Sequence, residues 1–157
     1  MADFPIIEGE VTARGRKVAI VAARFNDFIV SSLLKGATTA WSQRGGALED
    51  LLVARVPGAF ELPVVARKLA ASGRWDAVVA LGCVIRGDTP HFDYVAGECA
   101  RGLNLAALET GVPVVFGVLT VETVEQALER AATTAGNKGG ESMETALEMI
   151  DLMARLL

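Results

Sequence analysis

At 157 residues, 52% of them hydrophobic and 22% charged, the chain is long enough to bury a sizeable core and reads as a single well-packed domain over 1–157. A net charge of −4 argues against nucleic acid or an anionic membrane as a partner, since both reward a basic face. Two cysteines, Cys83 and Cys99, with no CxxC spacing and one histidine in the whole chain, argue against a disulfide framework and a zinc site.

The opening stretch MADFPIIEGE is acidic and lacks the basic and apolar regions of a signal peptide. No apolar run approaches the roughly 18 residues of a spanning helix. A cytoplasmic protein with no membrane partner is expected. IIEGEV, 6–11, is a possible lone strand with no hairpin partner nearby, so it is a candidate to pair with a neighbouring subunit.

Four runs read as strands: KVAIVAAR (17–24), LEDLLVARV (48–56), DAVVALGCVI (76–85) and VPVVFGVLT (112–120). Continuous apolar runs of this length suit strands buried on both faces of a parallel sheet. Helical patterns lie between and after them. The first covers 27–44, with Phe28, Leu33 or Leu34, Ala37 and Trp41 on one stripe and Gly45–Gly46 as its stop. Others cover 60–72, 91–110, 121–135 and 141–157, the last with Met143, Ala146, Leu147, Ile150, Met153 and Leu157 on one side. Strands alternating with helices predict an α/β sandwich.

In such sheets ligands bind beyond the carboxyl ends of the strands. Four segments lie there: ARFND, VPGAFELP, RGDTPH and GVLT. RGDTPH, 86–91, holds the sole histidine. Thr89 suits an N-cap and Pro90 the first helical position, which places His91 in the first turn. The positive end of the helix favours an uncharged imidazole there, able to take or relay a proton. Free N–H groups from Gly87 to Thr89 could hold an anion. Asp88 would repel that anion unless its carboxylate turns away. By spacing alone, a plain helix cap with an incidental histidine fits equally well.

VPGAFELP places exposed backbone at Gly58 and Ala59, and Glu61 in a first turn where a carboxylate often only offsets the dipole. Phe25 ends a strand, where an aromatic can stack on a flat ring or simply join the core. Arg130 and Lys138 would matter if a phosphate lay nearby. Neither a P-loop nor a dinucleotide fingerprint is present.

Together, ARFN, VPGAFELP, ALGCVIRGDTPHFDYV, FGVLT and ERAATTAGNKG resemble the lumazine synthase family, in its order and spacing across nearly the whole chain. The resemblance implies a flavodoxin-like three-layer sandwich with a four-stranded parallel sheet flanked by helices. It implies condensation of 5-amino-6-(D-ribitylamino)uracil with 3,4-dihydroxy-2-butanone 4-phosphate, with no cofactor and no metal. It also implies a homo-oligomer, a pentamer or twelve pentamers closed into an icosahedral shell, with each site between two neighbours. Riboflavin synthase is a candidate partner.

By position, Phe25 would stack on the pyrimidine, and Ala59, Phe60, Glu61, Cys83, Val84 and Ile85 would contact it. Phe116 would join them from the adjacent subunit. Gly87, Asp88 and Thr89 would line the phosphate pocket, and Arg130 of the neighbour would pair with the phosphate, with Lys138 a weaker candidate. His91 would move protons. The chain departs from the family at Ala132, Thr133 and Thr134, where the family often has Gly-Thr-Lys; that leaves more of the anion's charge to Arg130. A riboflavin-binding module, a scaffold and a flavodoxin-like electron carrier are the competing readings. The carrier would want a phosphate loop in place of ARFND, and a simple flavin binder would not need Arg130.

Overall fold

A computed structural model of the chain describes residues 3–132 and 136–156. Its elements in order are β1 (Val18–Ala23), α1 (Asp27–Gln43), β2 (Leu51–Val56), α2 (Leu62–Ala71), β3 (Ala77–Ile85), α3 (His91–Thr110), β4 (Val114–Val121), α4 (Val124–Arg130) and α5 (Lys138–Arg155). Short 3-10 turns cover Leu48–Asp50 and Ala59–Glu61.

The four strands form one parallel sheet in the order β2-β1-β3-β4. Strand alternation sends successive side chains to opposite faces, which builds two cores. Val18, Ile20 and Ala22 of β1, with Val79 and Leu81 of β3, pack under α1, α4 and α5. Val21 and Ala23, with Val78 and Ala80, pack under α2 and α3. The sheet is thus the middle of three layers, the flavodoxin-like arrangement that the motifs imply.

Burial on both faces holds for β1 and for β3 up to its last residue, but not for the outer strands. β2 and β4 have no further strand on their outer sides among the described residues, and Leu52, Val53 and Phe116 are partly exposed. The second strand also begins later than its apolar run suggests, because Leu48–Asp50 turns first.

Helix α1 buries Ile29, Val30, Leu33, Ala37, Ala40 and Trp41. Phe28, expected on that stripe, is 77% exposed instead, since Ile29 and Val30 take the inward positions of the first turn. The helix stops as its glycines predict. Gly45 is left-handed at φ 89° and donates to the Ser42 carbonyl, while Gly46 donates to the Trp41 carbonyl, closing a Schellman motif.

Helix α5 starts three residues before its predicted beginning, because Asn137 caps it by accepting the Gly140 N–H at 3.1 Å. Met143, Ala146, Leu147 and Ile150 are buried, whereas Met153 is partly exposed and Leu157 lies outside the described residues. Gly139 lets α5 approach the Leu33 backbone of α1; a Cβ there would overlap the Leu33 carbonyl. The fourth helix ends at Arg130, well before the predicted 135. Thr133 and Thr134, two of the residues that depart from the family pattern, lie outside the described residues.

IIEGEV forms no strand within the chain. It runs along α5, where the Glu10 N–H donates to Asp151 Oδ2 at 2.8 Å. Asp151 also accepts from Arg155 Nε at 2.6 Å and Arg16 Nη2 at 3.0 Å. The Glu10 N–H, then Arg155, hold the Asp151 carboxyl below its ordinary range. A depressed carboxyl stabilises the fold above the usual aspartate value of about 3.9, and that contribution is lost as pH falls through the lower folded value. Asp151→Asn should therefore lower the melting temperature at pH 7 and narrow the difference from wild type in strong acid. An equal difference at both pH values would show that the contribution is not ionic.

Candidate active site

Beyond the carboxyl ends of β1, β2 and β3 lies a cleft of about 740 Å³. The crevice opens between β1 and β3, where the connections leave the sheet in opposite senses, the ordinary ligand position in open parallel sheets.

Three turns wall it. After β1, the Arg24 and Phe25 N–H groups donate to the Val56 and Pro57 carbonyls at 2.7 and 3.0 Å. These bonds hold the first turn against the second and leave the Phe25 ring 73% exposed at the cleft. After β2, Gly58 is extended and the 3-10 turn Ala59–Glu61 brings Ala59, Phe60 and Glu61 to the wall. The end of β3, Cys83, Val84 and Ile85, supplies the floor, and the turn after it, through Gly87, Thr89 and His91, the far side.

The last turn differs from its predicted capping. Pro90, with ψ 2°, is the residue before the helix, and His91 is its first residue. Thr89 sits one position earlier than an N-cap, and its Oγ1 accepts the His91 N–H only at a long 3.4 Å. A Cβ at Gly87 would meet nothing, so no neighbouring protein atom demands a glycine there. Asp88 is exposed and does not line the cleft, unlike Gly87 and Thr89 on either side. An anion beside those two residues need not meet its carboxylate.

Arg86 opens the same turn but is committed elsewhere. Its Nε pairs with Glu122 at 2.8 Å and Nη1 with Asp93 at 3.4 Å, while the guanidinium lies 4.4 Å from the centre of the Phe92 ring. It braces the turn against β4 and α3. No lysine or arginine lines the cleft among the described residues. Phe116, Arg130 and Lys138 do not line it either: Phe116 pairs with Ala80 midway along β4, Arg130 donates to the Gln126 carbonyl of its own helix, and Lys138 begins α5.

Asn26, Phe92, Tyr94 and Val95 also line the cleft and were not singled out from the sequence. Tyr94 and Val95 stand three and four residues after His91, the spacing that shares a helix face, so HFDYV carried the signal. Asn26 gives no such signal, since its side-chain bond to the Cys83 carbonyl spans 57 positions.

Burial pushes both thiols, Cys83 and Cys99, up to about 11, which keeps them protonated at neutral pH. Neither should react with a disulfide reagent until the protein unfolds, when both should titrate. Rapid labelling of folded protein at Cys83 would mean that the cleft floor opens to solvent.

Fold and cleft define an α/β protein with an aromatic-lined cleft at the strand ends, walled by Phe25, Phe60, Phe92 and Tyr94, with one imidazole in the lining. The family model described as 6,7-dimethyl-8-ribityllumazine synthase matches residues 15–154. A 6,7-dimethyl-8-ribityllumazine synthase of Syntrophus aciditrophicus (strain SB) is 55% identical over 151 residues, covering 96% of this chain and 98% of that protein. The chain belongs to the 6,7-dimethyl-8-ribityllumazine synthase family. Its activity is the family's: a transferase reaction of riboflavin biosynthesis joining 5-amino-6-(D-ribitylamino)uracil and 3,4-dihydroxy-2-butanone 4-phosphate, with release of phosphate and water. No helix among the described residues is long and apolar enough to cross a membrane.

Proposed function

We propose that this cleft is where the condensation occurs and that a second copy of the chain completes it. The observation that carries the reading is the absence, among the described residues, of a fixed cation from a cleft that must hold a phosphate ester. Phe25 stacks on the pyrimidine; Ala59, Phe60, Glu61 and Cys83 to Ile85 contact its edges. N–H groups from Gly87 to Thr89 receive the phosphate, with Asp88 contributing backbone only. Arg130 of the neighbour supplies the missing charge, with Lys138 a weaker second, and Phe116 of the neighbour packs near the pyrimidine.

The amine of the uracil attacks the ketone to give an imine with loss of water. Phosphate then leaves by elimination, and the enol tautomerises and closes the ring with loss of a second water. Each step moves protons, and His91 serves them. Two substrates held in reactive geometry supply much of the rate.

The oligomer is a closed ring of five, alone or as one unit of a shell. Open edges at β2 and β4 and the exposed Phe4, Ile6 and Ile7 of the N-terminal segment support association. We place the enzyme in the cytoplasm, where phosphorylated and polyol-bearing substrates are retained. Light scattering separates pentamer from shell, and a monomer that turns over at full rate would sink the shared site.

A further inference from the structure

We infer that Asn26 is a positioning residue for this reaction: its side chain is a rung across the floor of the crevice, tying together the ends of β1 and β3 where the sheet divides. The inference rests on the cleft being the pyrimidine site.

The ladder between β1 and β3 ends at Ala22–Leu81. Beyond it, the chain leaving β1 stays with β2, through the Ala23–Val56 pair and the Arg24 and Phe25 N–H groups. β3 stays with β4 as far as Ile85–Val121. The sheet therefore divides just after Leu81, ahead of Cys83, and that division makes the cleft. Among the described residues one side-chain bond crosses it: Asn26 Nδ2 donates to the Cys83 carbonyl at 2.9 Å.

The fold accepts two costs for that bond. Asn26 is the sole non-glycine residue with positive φ among the described residues, at φ 60° and ψ 44°. It also stands at the N-cap of α1, where asparagine is among the best capping residues, yet its side chain makes no cap bond. The amide is turned from its local use to a carbonyl 57 positions away. The bond joins the residues assigned to the pyrimidine: Phe25 precedes Asn26, and Cys83 is itself one of the strand-end residues, with Val84 and Ile85. Asn26 thus sets the spacing between the stacking ring and the strand end that meets the substrate edge.

The test uses full-length Asn26→Gly, Asn26→Asp and Phe25→Ala. Glycine accepts the left-handed backbone without strain but has no amide, so its melting temperature should stay near wild type. Its KM for the uracil substrate should rise about tenfold, the loss expected for one hydrogen bond, with KM for the phosphate substrate unchanged. Aspartate keeps the shape and tolerates the backbone but, ionised, only accepts hydrogen bonds, so it should raise the same KM at least as much. Wild-type uracil KM in either Asn26 variant, while Phe25→Ala is impaired, overturns the inference. Wild-type uracil binding in Phe25→Ala overturns the cleft assignment, and the inference with it.

Discussion

His91→Ala should slow turnover at saturating substrates by about tenfold to a hundredfold and leave a measurable rate. General acid–base catalysis contributes about 10²-fold or more where proton transfer limits the rate. Here only a share of the acceleration depends on it. Joining two substrates in one cleft replaces a bimolecular encounter with an oriented pair, and that advantage survives loss of the imidazole. Of the other proton-bearing groups, the Cys83 thiol is held protonated by burial and Asp88 does not line the cleft, while the Glu61 carboxylate does, on the wall after β2. Single-turnover kinetics with both substrates saturating is the measurement. A wild-type rate would remove His91 from the chemistry.

Arg130→Ala should weaken binding of the phosphate substrate by about 10–100-fold, since a charge-assisted hydrogen bond contributes about 1.5–3 kcal/mol. Binding of the uracil substrate should change little, and separate titrations reveal that selectivity. The same variant tests where the arginine acts. In one chain Arg130 turns back onto Gln126 and does not reach the cleft lining. If the site lies between copies, His91→Ala and Arg130→Ala chains refolded together form some interfaces with both residues intact, and activity exceeds the mean of the separate variants. Activity equal to that mean would place both residues within one chain.

Much of this was legible in the sequence because it depends on local pattern. Apolar runs separated by helical periods marked the four strands, and Gly45–Gly46 marked the end of the first helix. The motifs marked most of the cleft wall, since the rule that ligands sit beyond strand ends needs only strand positions. Errors came where neighbours outweigh local preference. Phe28 sits at an apolar position in sequence, but the core had Ile29 and Val30 to receive. The strand at 48–56 lost its first residues to a 3-10 turn, at a point where Ala47 accepts the Trp41 indole N–H.

The turn at 86–91 shows the division most clearly. Residue types alone indicated free N–H groups able to meet an anion and a histidine at a helix start. They could not say where the Asp88 carboxylate goes, because a single backbone turn decides whether it faces the cleft or solvent. They could not say that Arg86, adjacent in sequence to Gly87, is held by Glu122 and Asp93. Nor could they show that the Asn26 side chain, at the N-cap of α1, reaches the Cys83 carbonyl. By itself the sequence determined the family, the parallel sheet and most of the turns that wall the cleft, because these follow from period, spacing and residue type. The tertiary structure alone decided which charges are already neutralised and which strands separate to make the cleft, because those depend on contacts between residues far apart along the chain.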